Sequence, residues 1–202
     1  MRKRATGLKG FMQTTVRRGR AFCRDERGAT LIEFGFLAIP FFMVIVAILE
    51  TALIFLAGQI LDSAVNDSAR LVRTGQAQTL EWNGDNFRGA ICEGLYGLFD
   101  CSNGANERLR VSVAVVTDFS AATVGYPLEI GDECGEDGCD WKISSDYVPG
   151  TGADVVLVRA FYKWPTIADF FGINFATLAG GDRLLGASRV FRNEPFGCSD
   201  CS

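Results

Sequence analysis

Arg24-Asp25-Glu26-Arg27-Gly28-Ala29-Thr30-Leu31-Ile32-Glu33-Phe34 opens directly into an apolar run. Between Phe34 and Leu61, a stretch of 28 residues, Glu50 is the only ionisable side chain. A glycine ends a basic leader, and a carboxylate stands five residues later at the mouth of the run. An acid near hydrocarbon costs free energy unless it has a partner. A cut between Gly28 and Ala29 supplies one, because Glu33 can neutralise the new amino group at Ala29. The run exceeds the roughly 20 residues that a helix needs to cross a bilayer. A secretory signal has a shorter apolar region followed by a small-x-small cut. No such cut is evident, so the helix is expected to remain as an anchor.

Charge sets the expected orientation. Nine basic residues among the first 28 stand against Asp25 and Glu26, which leaves +7; the whole chain is −4, so residues 29–202 carry −11. A basic flank before an apolar span predicts a cytoplasmic N-terminus, with the acidic remainder on the far side. Nucleic-acid binding is not expected, because the leader has no folded scaffold to present its charges. The expected organisation is a leader over 1–28, a transmembrane helix over 29–61 and an exported domain over 62–202. Pro40 removes a backbone donor and is expected to kink the helix. It is either a proline that the span tolerates or a flexible point for leaving the bilayer. Glu50 is expected to be solvated near the interface or to touch a partner helix. Gly35, Ala38, Ala47, Thr51, Ala52, Ala57 and Gly58 would let such a helix approach closely.

The helix is predicted to continue past the membrane to a terminator at Gly75. Leu61, Ala64, Val65, Ser68, Ala69 and Val72 recur at helical spacing, while Asp62, Asn66, Asp67, Arg70 and Arg73 fill the other face. Strands are predicted over 108–117, 154–164 and, more weakly, 183–192. Leu109, Val111, Val113 and Val115 alternate onto one side of the first. A short helix is expected within 81–100 on Phe87, Ile91, Leu95 and Leu98. Residues 118–153 read as loop, and residues 165–182 as a short helix with exposed aromatics. The fold class is α+β: a long membrane-spanning helix continuing as a spine on a small antiparallel sheet, stabilised by disulfides.

Of seven cysteines, Cys23 lies in the leader. The other six form three close pairs: Cys92 with Cys101, Cys134 with Cys139, and Cys198 with Cys201. An even count in an exported domain points to disulfides. Other connectivities exist, but these three close the shortest loops. The chain has no histidine, which removes Ser-His-Asp and Cys-His catalysis. Asp132, Glu133, Glu136, Asp137 and Asp140 crowd the loop 132–140, where calcium would find several oxygens. The spacing is not that of an EF-hand, and a solvated acidic loop is favoured. Zinc at Cys198 and Cys201 would need two more ligands. No enzyme activity, cofactor or metal is expected.

Three stretches resemble the TadE-like minor pilins (pseudopilins) of the tight-adherence, or Flp, type IV pilus system. They are Gly28-Ala29-Thr30-Leu31-Ile32-Glu33-Phe34, Ala69-Arg70-Leu71-Val72-Arg73-Thr74-Gly75-Gln76, and Val190-Phe191-Arg192-Asn193-Glu194-Pro195-Phe196. The resemblance implies cleavage after Gly28 by an inner-membrane prepilin peptidase, with Glu33 as the acidic residue five positions after the cut. It implies other pilins and an inner-membrane assembly platform as partners, a periplasmic C-terminal domain, and a role in an adhesive pilus used for surface attachment and biofilm formation. Phe34 stands where several relatives carry Tyr. The alternative expectation is an uncleaved, membrane-anchored periplasmic binding or adhesion protein.

Overall fold

A computed structural model of the chain describes residues 26–102, 107–125, 127–128, 141–167, 175–178 and 181–197. Helix α1, Glu26–Arg73, runs for 48 residues with Pro40 inside it. By their contacts, residues up to Val46 form one unit and residues from Ala47 onward form a second. In the first unit, Leu31, Phe34, Phe36, Leu37, Phe41 and Phe42 are all exposed. Such a surface is stable in lipid and costly in water. Helix α1 is long and apolar enough to span a membrane.

The second unit is an α+β domain. The stripe predicted from the spacing faces its core: Leu61, Ala64, Val65, Ser68, Ala69 and Val72 are all buried. Thr74 and Gly75 donate back to Arg70 and Val72, and Gly75 turns the chain at φ +77°. A left-handed glycine commonly ends a helix in this way. A short turn, α2 (Gln76–Thr79), leads to α3 (Gly84–Gly94). Asn83 caps α3 reciprocally with Asn86, satisfying two helix-end donors.

Strands β1 (Leu109–Val116), β2 (Val155–Pro165) and β3 (Asp182–Arg192) form an antiparallel sheet in the order β1-β2-β3. The register places Val113, Val158 and Arg189 in one row, and Leu109, Tyr162 and Leu185 in another. Alternation then sends Val111, Val113, Val158, Ala160, Tyr162, Leu185 and Ala187 into one core with the α1 stripe. Central β2 is buried on its other face too, through Leu157 and Phe161.

Helix α3 completes the core with Phe87 and Ile91, and Leu95, just past its end, joins them. A Cβ on Gly94 would lie 2.9 Å from the Ala64 Cβ, so only glycine lets α3 approach α1 here. Cys92 and Cys101 form a disulfide. The segment it closes is pinned to β2: the Asp100 backbone N–H donates to the Tyr162 Oη at 2.9 Å, and Phe99 packs against Tyr162 and Trp164.

Two faces depart from the sequence pattern. Val115 is exposed, because the core under β1 ends at Val113. Leu98 is exposed and Phe99 buried instead, because α3 stops at Gly94 and the chain turns through Gly97 at φ +70°. Of the stretch 165–182, where a short helix is expected, residues 168–174 and 179–180 lie outside the described residues, and the described remainder is strand end and loop.

Leu61→Ala removes a fully buried side chain and is expected to cost about 2–5 kcal/mol. Ser63→Ala, on the exposed face of the same helix, should stay within about 0.5 kcal/mol. Thermal unfolding of both variants in the same detergent, followed by near-UV circular dichroism, checks the contrast.

Candidate functional site

The residues singled out by the sequence fall at two stations on α1, and a third station closes the helix. The first is the helix start. Gly28 and Ala29 are already helical, and Glu33 lies one turn beyond Ala29. At a rise of about 1.5 Å per residue, the backbone nitrogen of Ala29 and the Glu33 side chain share one face, about 6 Å apart along the axis. The Glu33 side chain is exposed. Around it stand Leu31, Ile32, Phe34 and Phe36, also exposed. Pro40 is exposed within the same helix.

The second station is Glu50, and the structure gives it a place the sequence did not suggest. It is only 5% exposed and faces its own domain, neither solvent nor a separate helix. The backbone N–H of Ile167, just past β2, donates to Glu50 Oε1 at 2.7 Å. Glu50 Oε2 is buried with no hydrogen-bond partner among the described residues. A signal for this was present. Stepping back from Leu61 by helical intervals gives Ala57, Ile54 and Glu50, which extends the buried stripe to the acid.

The third station joins two stretches far apart in sequence. The Glu194 backbone N–H donates to the Arg73 carbonyl at 2.9 Å, at the end of α1. The Phe196 ring covers Gly75, where a Cβ would lie 2.6 Å from the ring. Buried Asn193 donates through Nδ2 to the carbonyls of Pro149 and Thr151, at 3.0 and 2.9 Å. The Arg73–Glu194 ion pair at 3.6 Å is half exposed on both sides and adds little by itself. Stretches 69–76 and 190–196 were each notable in sequence. The structure brings them together as the closure of the helix end.

Chemistry elsewhere is sparse. A cleft of about 390 Å³ lies between α3 and the segment 145–147. Tyr147 lines it with its hydroxyl buried and without a partner among the described residues, and burial pushes that phenol up to about 12. Arg88 in the same cleft is tied to Glu107 and to the Ser102 and Leu109 carbonyls. No three His, Cys, Asp or Glu side chains gather as a metal site among the described residues. The acidic loop 132–140, Cys134, Cys139, Cys198 and Cys201 lie outside those residues.

The fold and these stations define a class: a membrane-length N-terminal helix whose C-terminal part packs on a three-stranded antiparallel sheet. Residues 28–70 match the family model described as TadE-like protein. The match starts at the glycine before the proposed cut and reaches into the stretch that closes the helix. It is consistent with a TadE-like pilin family member, the family that the sequence motifs resemble. No curated protein and no solved structure matches the chain.

Glu50→Ala removes the acceptor of the part-buried Ile167 N–H and is expected to cost about 1–3 kcal/mol. Glu50→Gln keeps an acceptor oxygen and should lose less. Chemical denaturation of the two variants in the same detergent gives the order; equal loss in both would contradict the hydrogen-bond account.

Proposed function

We propose that the chain is a non-enzymatic minor pilin, or pseudopilin. A prepilin peptidase cuts it between Gly28 and Ala29. The product stands in the inner membrane with its sheet domain in the periplasm and supports assembly of a Tad/Flp adhesive pilus, through helix packing with other pilins and the assembly platform. The match of residues 28–70 to TadE-like proteins supports the pilus association. The observation that carries the processing step is the register of Glu33. It is an exposed acid in an apolar helix, with no ion pair or hydrogen bond among the described residues. It lies one turn from the amine that cleavage at Gly28 would release.

The chemistry follows from electrostatics. A carboxylate or an ammonium alone at the edge of hydrocarbon is costly, and a matched pair is tolerated far better. Before cleavage, Ala29 carries a neutral amide and Glu33 has no counter-charge there. After cleavage, the Ala29 ammonium pairs with Glu33 of its own chain or of a neighbour. In a neighbour, the pair would also set the axial register between helices. Pro40, with no N–H to donate, leaves the Phe36 carbonyl without its usual helical partner and makes this part of the helix the easiest to bend.

Mass spectrometry of the mature protein, from cells that hold the peptidase, should give Ala29 as the first residue. A mature chain beginning at Met1 would contradict processing. In Glu33→Ala the unpaired amine costs about 3–5 kcal/mol, enough to lower assembly by roughly a hundredfold or more. Normal piliation by processed Glu33→Ala subunits would contradict the pairing role.

A further inference from the structure

The face of α1 turned away from the sheet changes character abruptly within the second unit. Ile48, Leu49, Phe55 and Leu56 are exposed, at 47–69% with Leu53 included. From Gln59 onward the same face is polar, with Ser63, Asn66, Asp67 and Arg70 exposed. Water therefore begins between Leu56 and Gln59 on this side. On the opposite side the domain already covers the helix at Glu50, Ile54 and Ala57. From Glu50 to Leu56 is six residue steps, about 9 Å along the axis. The edge of the folded domain thus overlaps the lipid-suited face of the helix by about two turns.

The chain at that edge suits a membrane interface. Ile167, whose N–H holds Glu50, presents its own side chain at 73% exposure. The same end of the sheet carries Arg108, Lys163 and Arg183 around Asp182, by strand register and the bond from Lys163 N to the Arg108 carbonyl. Arg108 pairs with Asp182 at 3.2 Å, Lys163 lies over the Trp141 ring at 5.0 Å, and Arg183 donates to the Phe175 carbonyl at 3.1 Å, so these contacts hold the cations at the sheet end. Trp164 lies between Lys163 and the end of β2, half-buried. Cations and a tryptophan beside an apolar tip are the composition of a headgroup boundary, and anionic lipid attracts such cations. This stands out in a part of the chain that carries −11 overall.

We infer that the domain edge formed by Pro165–Ile167 and the adjoining sheet end is a lipid-binding surface. It is seated in the headgroup region, with the Ile167 side chain in contact with lipid. Glu50 can lie at that depth because the domain shields it and gives it a backbone donor. Leu49, Leu53, Phe55 and Leu56 take the lipid on the other side. The inference rests on the membrane-spanning reading of α1.

The test places a photo-crosslinking benzoylphenylalanine at single positions of the full chain, in vesicles of phosphatidylethanolamine with a minority of phosphatidylglycerol. Position Ile167 probes the seat and Phe42 probes the span. Phe119 is an exposed aromatic just past the opposite end of β1 and serves as the water-side reference. Lipid adducts by mass at Ile167 and Phe42, and none at Phe119, are expected. An adduct at Phe42 without one at Ile167, or a band at twice the chain mass from Ile167, overturns the lipid seat while leaving the span intact. Equal adducts at Ile167 and Phe119 overturn it as nonspecific. Absence at Phe42 overturns the span itself.

Discussion

One helix has a lipid-suited stretch and a packed stretch, and the pinning of the packed stretch to the sheet at both its ends is what the fold depends on. At one end Glu50 accepts a hydrogen bond from Ile167, just beyond β2. At the other, the Arg73 carbonyl accepts from Glu194, just beyond β3. The lengths agree. The 23 steps from Glu50 to Arg73 rise about 35 Å, and the 10 steps along β3 from Asp182 to Arg192 span about 34 Å. Helix and sheet are matched elements, so the stripe from Ile54 to Val72 meets a core face along its whole length. A shift of the helix by one residue would turn Val65 and Val72 outward and offer Asn66 and Arg73 to the core. The two end contacts, at the buried Glu50 and at Arg73, oppose that slip.

The remaining parts of the domain close the sides of this arrangement. Helix α3 comes near enough to α1 for Gly94 to be needed against Ala64. The Cys92–Cys101 bond shortens the unfolded chain's freedom between α3 and β1; loops of this size stabilise by roughly 2–3 kcal/mol. Burial raises the Tyr162 phenol above its usual value, although the Asp100 N–H it accepts pulls the other way. It therefore stays neutral across the physiological range.

Much of this was legible in the sequence because the periodicities are strong and local. The buried stripe from Leu61 to Val72 follows helical spacing, and all three strands stand within one residue of their predicted ends. The terminator at Gly75 is equally local, since only glycine takes φ +77° without strain. What sequence did not disclose depends on long-range pairing. Nothing near Glu50 announces Ile167, which is 117 residues away. Stretches 69–76 and 190–196 looked like separate motifs, and only the return of β3 to the helix end makes them one contact. The same holds at finer scale for Val115 and Leu98, apolar side chains left outside because the core ends before them.

The contact between Glu50 and Ile167 can be measured directly by hydrogen–deuterium exchange of the full chain in lipid nanodiscs. Ile167 lies beyond the last strand residue, with its side chain exposed, and a loop amide there would ordinarily exchange at once. The account predicts that its N–H exchanges slowly, together with the amides of β2, and that Glu50→Ala releases it while Glu50→Gln does not. An Ile167 amide that exchanges at the free rate in the unaltered chain, with β2 protected, would contradict it.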